Sequence, residues 1–456
     1  MNKGMHALQG LEPIEQVDSS SAQDALEQAS GLSLQLDGRR YPAGRIPKPR
    51  PAWVRWLTIL GPGLVAASAG NDAGGIATYS SAGAKYGYDL IWVMVLITIP
   101  LALVQETCAR LGAATGRGLL DLIRHRFGWS WAFFAILVVG VANAGLIISE
   151  FVGLSAAGEL LGIPKQILVP LAALALWALV LFWSYSYLEK LLIGMTLAFL
   201  VYPAAAWMGH PDPAQLVRGA LVPQVHSDHG FIMLLVALIG TTITPYMQLF
   251  QQSSVVEARA SRQHYGSERW DAYVGCVLSN LMSICMIVAT AATLHKMGVT
   301  NIDSAADAAK ALEPAAGRAA STLFAVGLLG ATLLASAVLP LATAYAVTEA
   351  LGAPKGVDLD FRRAPLFFSL YSLLLVLGAG VALIPNVPVM QLLVGVQVLN
   401  GCLLPIVLVF IMLLANDPRY MGPLKNSRLT NLVGWTAVMV ITSAVLLMFA
   451  GQLGSA

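Results

Sequence analysis

Eleven apolar stretches, each long enough to cross a bilayer, run through residues 53–451, near 53–82, 88–110, 131–161, 166–186, 190–208, 230–256, 270–295, 318–350, 366–384, 388–415 and 430–451. A span needs roughly 20 mostly apolar residues. Hydrocarbon offers no partner to a backbone N–H or C=O, so such stretches are forced into helices. Several exceed that length, which implies tilt or extension beyond the bilayer. Charged residues make up only 11% of the chain and hydrophobic ones 57%, whereas soluble domains are roughly 25% charged. The expected class is an all-α polytopic membrane protein whose surroundings are lipid. A net charge of +2 leaves no footprint for nucleic acid, and none is expected as a partner.

Residues 1–52 form a polar arm containing Glu12, Glu15, Asp18, Asp24 and Glu27. It lacks a basic start followed by an apolar core, so it does not read as a signal peptide. Its composition predicts a mostly disordered cytoplasmic tail with a short helix around 20–30; the membrane domain is expected over 53–456. Lysine and arginine set the expected orientation. With the N-terminus inside, 21 of 27 basic residues fall on the inner side, 7 of them in the tail through Arg55. Only Lys85, Lys165, Arg218, Lys296, Lys310 and Arg318 fall outside, and an odd number of spans puts the C-terminus there too. Cys108, Cys276, Cys285 and Cys402 all lie in apolar segments without metal-ligand spacing, and read as small apolar residues.

Two spans are interrupted. The first carries Gly61-Pro62-Gly63 and then Gly70-Asn71-Asp72-Ala73-Gly74-Gly75; the sixth carries Gly240-Thr241-Thr242-Ile243-Thr244-Pro245. Glycines are poor helix formers, and their clustering predicts unwinding at both places. Irregular backbone at membrane depth is tolerated only where protein buries it or water lines it. Spans 1–5 and 6–10 then form two five-helix halves, about 53–208 and 230–415, with an extra helix at 430–451. Because five is odd, the second half enters from the opposite face. The halves are inverted repeats, and the two breaks hold the same place in each. Matching interrupted spans in two halves point to the binding site of a secondary transporter.

The chemistry at the breaks is oxygen-rich. A carboxylate at bilayer depth is costly, which makes Asp72 a functional residue by default. Thr241, Thr242 and Thr244 add hydroxyls, and Pro245 removes one helical N–H and so frees a carbonyl upstream. Half-helices ending in carbonyls attract cations. Neither break holds Cys, His or Met, and hard oxygen donors suit magnesium, calcium and manganese better than zinc or copper. Pro245 alone would read as a plain kink with threonines bonded to their own backbone; Asp72 and the matching break favour a site.

Several motifs resemble the Nramp family of divalent-metal transporters over roughly residues 50–450. Gly61-Pro62-Gly63 with Asp72-Ala73-Gly74-Gly75 resembles the family's first-span motif, normally Asp-Pro-Gly-Asn. Arg110-Leu111-Gly112 with Thr115-Gly116 is similar to the loop after the second span. Thr244-Pro245-Tyr246 stands where the family has Met-Pro-His, and Asn416-Asp417-Pro418-Arg419-Tyr420-Met421-Gly422 resembles the loop after the tenth span. The resemblance implies the LeuT-like 5+5 inverted-repeat fold with eleven transmembrane helices, helices 1 and 6 broken. It also implies metal import by alternating access across a bacterial inner or plasma membrane. The implied metal residues are Asp72, Gly75, Thr241 and Thr244, with Asn71, Tyr246, Gln397, Asn400 and Glu150 as candidates to support those ligands from behind or to gate the site.

The departures carry a sharper expectation. The family's Asn partner is Gly75 here and its Met ligand is Thr244. Losing a thioether removes a preference for softer transition metals. A roomy oxygen-lined site suits an ion that keeps some of its water, as magnesium does. The pattern is similar to the Nramp-related magnesium transporters. Proton coupling is expected to be absent, because the His position is Tyr246, a phenol that holds its proton at neutral pH. The first acidic position of span 3 is Ile147, leaving Glu150 alone. The transported ion is expected to be Mg2+ with Mn2+, and no resident cofactor is expected. A proton-coupled Mn2+/Fe2+ importer of the same family stays open. So does a sodium-coupled organic-solute symporter of the same fold, although Asp72 would repel an anionic substrate.

Other polar residues have more than one reading. Glu150, with Asn143 two turns earlier, suits a residual relay or a structural carboxylate bonded to a neighbouring helix. Glu106, Arg110 and Arg117 suit an inner-gate network or a solvated helix end. Asp271 reads as the start of span 7. His226-Ser227-Asp228-His229 reads as a solvated loop more than a metal-capturing one, and Trp53, Trp56, Tyr86, Tyr88 and Trp92 as interface anchors. No nucleophile–base set, phosphate loop or metal-hydrolase motif is present, so no catalytic residue and no enzymatic activity is expected. The sequence sets no oligomeric state; a monomer suffices for the expected transport.

Overall fold

The computed structural model describes residues 33–36, 39–42, 71–182, 201–257, 265–354, 359 and 361–454. The chain divides into two units after Thr58. In the first, β1 (Ser33–Leu36) and β2 (Arg39–Pro42) pair antiparallel, with Leu36 opposite Arg39. The short helix expected around 20–30 lies outside the described residues.

The second unit is helical. Its long elements are α1 (Ala73–Tyr86), α2 (Ile91–Thr115), α3 (Leu119–Phe127), α4 (Trp129–Leu160), α5 (Lys165–Phe182), α6 (Val201–Met208), α7 (Pro213–Leu221), α8 (His229–Thr242), α9 (Pro245–Glu257), α10 (Tyr265–Thr290), α11 (Ala320–Leu351), α12 (Pro365–Ala382), α13 (Val389–Ala415) and α14 (Arg428–Gly454). Eight helices among the described residues are long and apolar enough to span, with α8 and α9 together making one of them. The first half of span 1 and most of span 5 lie outside the described residues. Where the spans are described, their ends fall within a few residues of those expected. One exception matters: α10 begins at Tyr265, so Asp271 lies inside the helix and not at its start.

The inverted arrangement is read from which helix ends meet. The ends of α2, α9 and α11 share one face with α3 and the loop between α13 and α14. There Gln252 Nε2 donates to Arg117 O (2.8 Å), Gly118 N–H to Glu349 Oε1 (2.8 Å), and Arg110 to Leu424 O (2.9 Å). Arg126 pairs with Asp417 on the same face. Span 1 therefore runs away from this basic end, whereas span 6, made of α8 and α9, runs towards it.

α1 and α4 form the centre. α1 is buried along nearly its whole length, and α4 is buried continuously from Ser149 to Gly158. Gly153 permits their approach, since a Cβ there would lie 2.3 Å from that of Ala73. Two short helices were not legible as spans. In α3 Leu119, Leu120, Leu122 and Ile123 are buried while Arg124, His125 and Arg126 form the last turn, where cations suit the helix dipole. α7 is started by Asp212, which accepts from Ala214 N–H at 2.9 Å, and by Pro213.

Candidate functional site

α1 begins at Ala73 because Asp72 caps it. The Asp72 backbone is extended (φ −69°, ψ 179°), and its Oδ1 accepts the Gly75 N–H at 2.6 Å. Gly74 and Gly75 are helical and do not unwind the chain as the glycine clustering suggested, while Gly61-Pro62-Gly63 and Gly70 lie outside the described residues. Asp72 is 1% exposed and its Oδ2 has no hydrogen-bond partner. Glu150, from α4, places Oε2 3.5 Å from the Ala73 N–H, while its Oε1 is likewise unpartnered. Two buried carboxylates thus share the positive end of one helix. Among the described residues neither has an ion-pair partner.

The second break is only two residues long. Ile243 N–H still bonds back to Ile239 O (2.9 Å), but Ile243 leaves helical geometry (φ −118°, ψ 72°), and Pro245 restarts the chain as α9. Pro245 has no N–H for the Thr241 carbonyl, so the last carbonyls of α8 are left pointing on along its axis. Thr241 ends up in the last helical turn, and Thr244 in the gap itself; both are fully buried. Thr242 bonds its own backbone at Leu238 O (2.7 Å) and meets the Tyr79 hydroxyl (3.2 Å). Thr244 Oγ1 has no partner. Tyr246 is buried in the first turn of α9.

Gly240 is helical as well, and its role is close packing. A Cβ there would lie 2.2 Å from Gln397 O and 2.4 Å from Gly401 N, and a Cβ on Gly401 would lie 2.5 Å from Val236 O. The two glycines press α8 against α13 and so bring Gln397 to Asp72. Gln397 Nε2 lies 3.4 Å from Asp72 Oδ1, and Asn400 Nδ2 donates to Gln397 Oε1 at 3.0 Å. Gly74 makes room for this amide, since a Cβ there would fall 2.0 Å from Gln397 Nε2. A Gly74→Ala variant should therefore keep its melting temperature within a few degrees, because a flexible side-chain end can yield, while flux falls as Gln397 is displaced. A thermal melt with normal flux would show that Gln397 is not needed where it stands.

Asn71 is turned away from these oxygens, towards α10. It donates to Ser279 Oγ (3.2 Å) and accepts from Ser283 Oγ (3.0 Å). Gly75 contributes its N–H to Asp72 and has no side-chain oxygen to offer. Asn143 donates to Thr343 Oγ1 of α11 (2.8 Å), below Glu150 on α4. The described residues contain no group of three or more His, Cys, Asp and Glu placed to hold a metal ion. A cation held here would rely on Asp72, helix-end carbonyls, Thr244 and the Gln397 amide.

Both ends are tied by polar contacts. At the basic end Glu106 and Arg110 pair at 3.3 Å, and Arg110 also reaches Asn426 Oδ1 (2.6 Å). Arg117 does not join them; it pairs with Asp121 of α3 at 3.6 Å, which also holds Arg124 at 2.8 Å. Burial works to raise Asp417, but the Arg419 N–H and the Arg126 guanidinium outweigh it and hold the carboxyl below the usual range. At the opposite end Tyr86 donates to Asp228 Oδ2 (2.5 Å), and His226 meets Asp89 Oδ2 (2.8 Å). The Tyr86 hydroxyl lowers Asp228, which also caps α8. Tyr86, Tyr88 and Trp92 are thus packed against other protein segments, with Trp92 Nε1 donating to Gln224 O (3.2 Å), and are not the expected lipid anchors. Trp129, Trp131, Trp207 and Trp270 are the exposed rings at helix ends. Trp53 and Trp56 lie outside the described residues.

Residues 63–451 match the family model described as natural resistance-associated macrophage protein-like. Divalent metal cation transporters MntH are 27% identical to the chain. The Klebsiella pneumoniae protein aligns over 85% of this chain and 92% of its own length, and that of Yersinia pestis over 89% and 97%. The manganese transporter of Eremococcus coleocola superposes with a TM-score of 0.73 at 20% identity, covering 90% of both chains. MhsT, solved in complex with L-phenylalanine, superposes at 0.55 with 18% identity, covering 85% of this chain and 98% of its own. The 5+5 inverted repeat is the fold these likenesses share.

Proposed function

The chain belongs to the Nramp family, and from that premise we propose that it carries divalent cations through the membrane by alternating access at the meeting point of the two breaks. The observation that carries this reading is Asp72. It is buried, has one oxygen without a partner, and sits at the head of α1 beside Glu150 with no counter-ion among the described residues. A cation supplies the missing charge, and the carbonyl end of α8 adds to its shell. The contacts at the basic end and at the Tyr86–Asp228 end are the ones that would break and reform as access alternates. The bias of lysine and arginine supports a cytoplasmic N-terminus.

The favoured cargo is Mg2+, with Mn2+ also accepted. Thr244 in the gap and Gly75 in the first turn leave an all-oxygen site without a thioether, which suits a hard ion that keeps part of its water. Import needs no proton partner, since moving a divalent ion inward at about −100 mV releases roughly 4.6 kcal/mol. Uptake of labelled Mn2+ into proteoliposomes should be competed by excess Mg2+; indifference to Mg2+ would contradict the cargo assignment. Restoring both family side chains, Gly75→Asn with Thr244→Met, should shift the Mn2+ over Mg2+ preference by about tenfold, or ~1.4 kcal/mol. An unchanged ratio would place the selectivity elsewhere.

The second reading, proton-coupled manganese import, is favoured by Glu150. It is a second carboxylate close to Asp72, and it can take up a proton when the cation leaves. The names of the similar MntH proteins and of the Eremococcus coleocola transporter also favour manganese. A Glu150→Gln variant separates the two: unaltered Mg2+ flux supports uncoupled transport, and loss of metal-linked acidification supports the second reading.

A further inference from the structure

We infer that Asn400 is a positioning residue that lets the Gln397 amide turn between two orientations, one donating to Asp72 and one presenting its carbonyl oxygen to the transported cation. This rests on the site proposed above and adds a device to it. In the structure the two amides form a directed chain: Asn400 Nδ2 donates to Gln397 Oε1 at 3.0 Å, and Gln397 Nε2 lies 3.4 Å from Asp72 Oδ1. That direction suits the carboxylate, which accepts hydrogen bonds, and it is incompatible with a cation beside Asp72. An N–H donor would then face positive charge.

A half-turn of Gln397 about its last torsion corrects this by aiming Oε1 at the cation. The turn brings its NH2 group round to Asn400, which must then accept. Asn400 carries an acceptor for that purpose. Its Oδ1 is buried, has no hydrogen-bond partner, and comes forward when Asn400 makes the same half-turn. An amide can donate from one edge and accept from the other, so the pair stays bonded in both orientations. Leucine or alanine at 400 could serve neither. Both residues are 0% exposed, so a lost partner is not replaced by bulk water, and a buried group without its bond is costly. The amide is confined to this motion by its neighbours: Gly74 lies against Nε2, and Gly240 against the Gln397 backbone. The chain thereby stabilises Asp72 between transport events and yields a hard oxygen ligand when an ion arrives.

The test is a double-mutant cycle on Mg2+ flux in proteoliposomes, using Asn400→Leu, Gln397→Leu and the pair, with Asn400→Ala as an alternative should leucine not be accommodated. Asn400→Leu is expected to raise the half-saturating Mg2+ concentration about tenfold, with maximal flux little changed and the melting temperature lowered by at most a few degrees. Added to Gln397→Leu it should have no further effect, because the residue it positions is already gone. Additive effects would overturn the inference, since Asn400 would then act on the ion by itself. A fall in maximal flux and melting temperature at unchanged half-saturation would also overturn it, by making Asn400 purely structural. An Asp72→Asn control separates the levels. Lost flux there with additive leucine effects overturns the relay alone; retained flux there overturns the site and the relay with it.

Discussion

Asp72→Asn is expected to lower divalent-cation flux by roughly two orders of magnitude or more while leaving the protein folded. The substitution isolates charge. Asparagine caps a helix about as well as aspartate, so the bond to the Gly75 N–H that starts α1 survives. What is removed is the formal charge facing the cation. A pair of unit charges about 4 Å apart is worth ~4 kcal/mol at an effective dielectric near 20, and a divalent ion doubles this. Even a third of that doubled value is about 2.7 kcal/mol, roughly a hundredfold. Flux within a factor of about two of the parent, in a protein with an unaltered melt, would remove Asp72 from the site.

Gly240→Ala is the second large effect, and it acts through the fold. The added methyl would lie 2.2 Å from Gln397 O and 2.4 Å from Gly401 N, both backbone atoms. Neither can rotate away, so α8 and α13 must separate. Overpacking of this kind costs about 1–3 kcal/mol, occasionally more. The separation also draws Gln397 off Asp72, so flux should fall further than the melt alone accounts for. Gly240→Val should fail to accumulate in the membrane. If Gly240→Ala melts and transports like the parent, the two helices are not in contact there and the placement of Gln397 fails with it.

Gly240 also marks the limit of what the sequence could tell. The spans were legible because hydrocarbon forces every long apolar run into a helix, and α4, α11, α12 and α13 begin and end within two residues of the expected limits. The site was legible in outline, since a carboxylate and a proline have few other reasons to sit inside apolar runs. Which residues make the break was not. Propensity marks Gly74, Gly75 and Gly240 as helix breakers, yet all three are helical. Asp72 starts α1 by capping it, Pro245 ends α8 by lacking an N–H, and Gly74 and Gly240 serve neighbours that sequence cannot identify. Gln397 was a candidate only by resemblance, because it lies 325 residues from Asp72 and joins it through glycine packing alone. Tyr86 and Trp92 failed as lipid anchors for a related reason. An amphipathic ring near a helix end satisfies its polar atom equally well against lipid headgroups or against a loop, and here the loop at 224–228 takes it. α3 and α7 were missed because a nine-residue amphipathic helix has no length signature of a span.

Transport as proposed passes a hard divalent cation between the two breaks, driven by membrane potential. Its most direct test is uptake by purified protein in liposomes carrying a magnesium indicator, a manganese indicator and a pH dye, with an imposed inside-negative potential. Mg2+ uptake should scale with the potential, with Mn2+ uptake alongside it and no acidification of the interior. Manganese uptake that excludes magnesium and acidifies the interior would contradict it, and would make Glu150 the proton carrier.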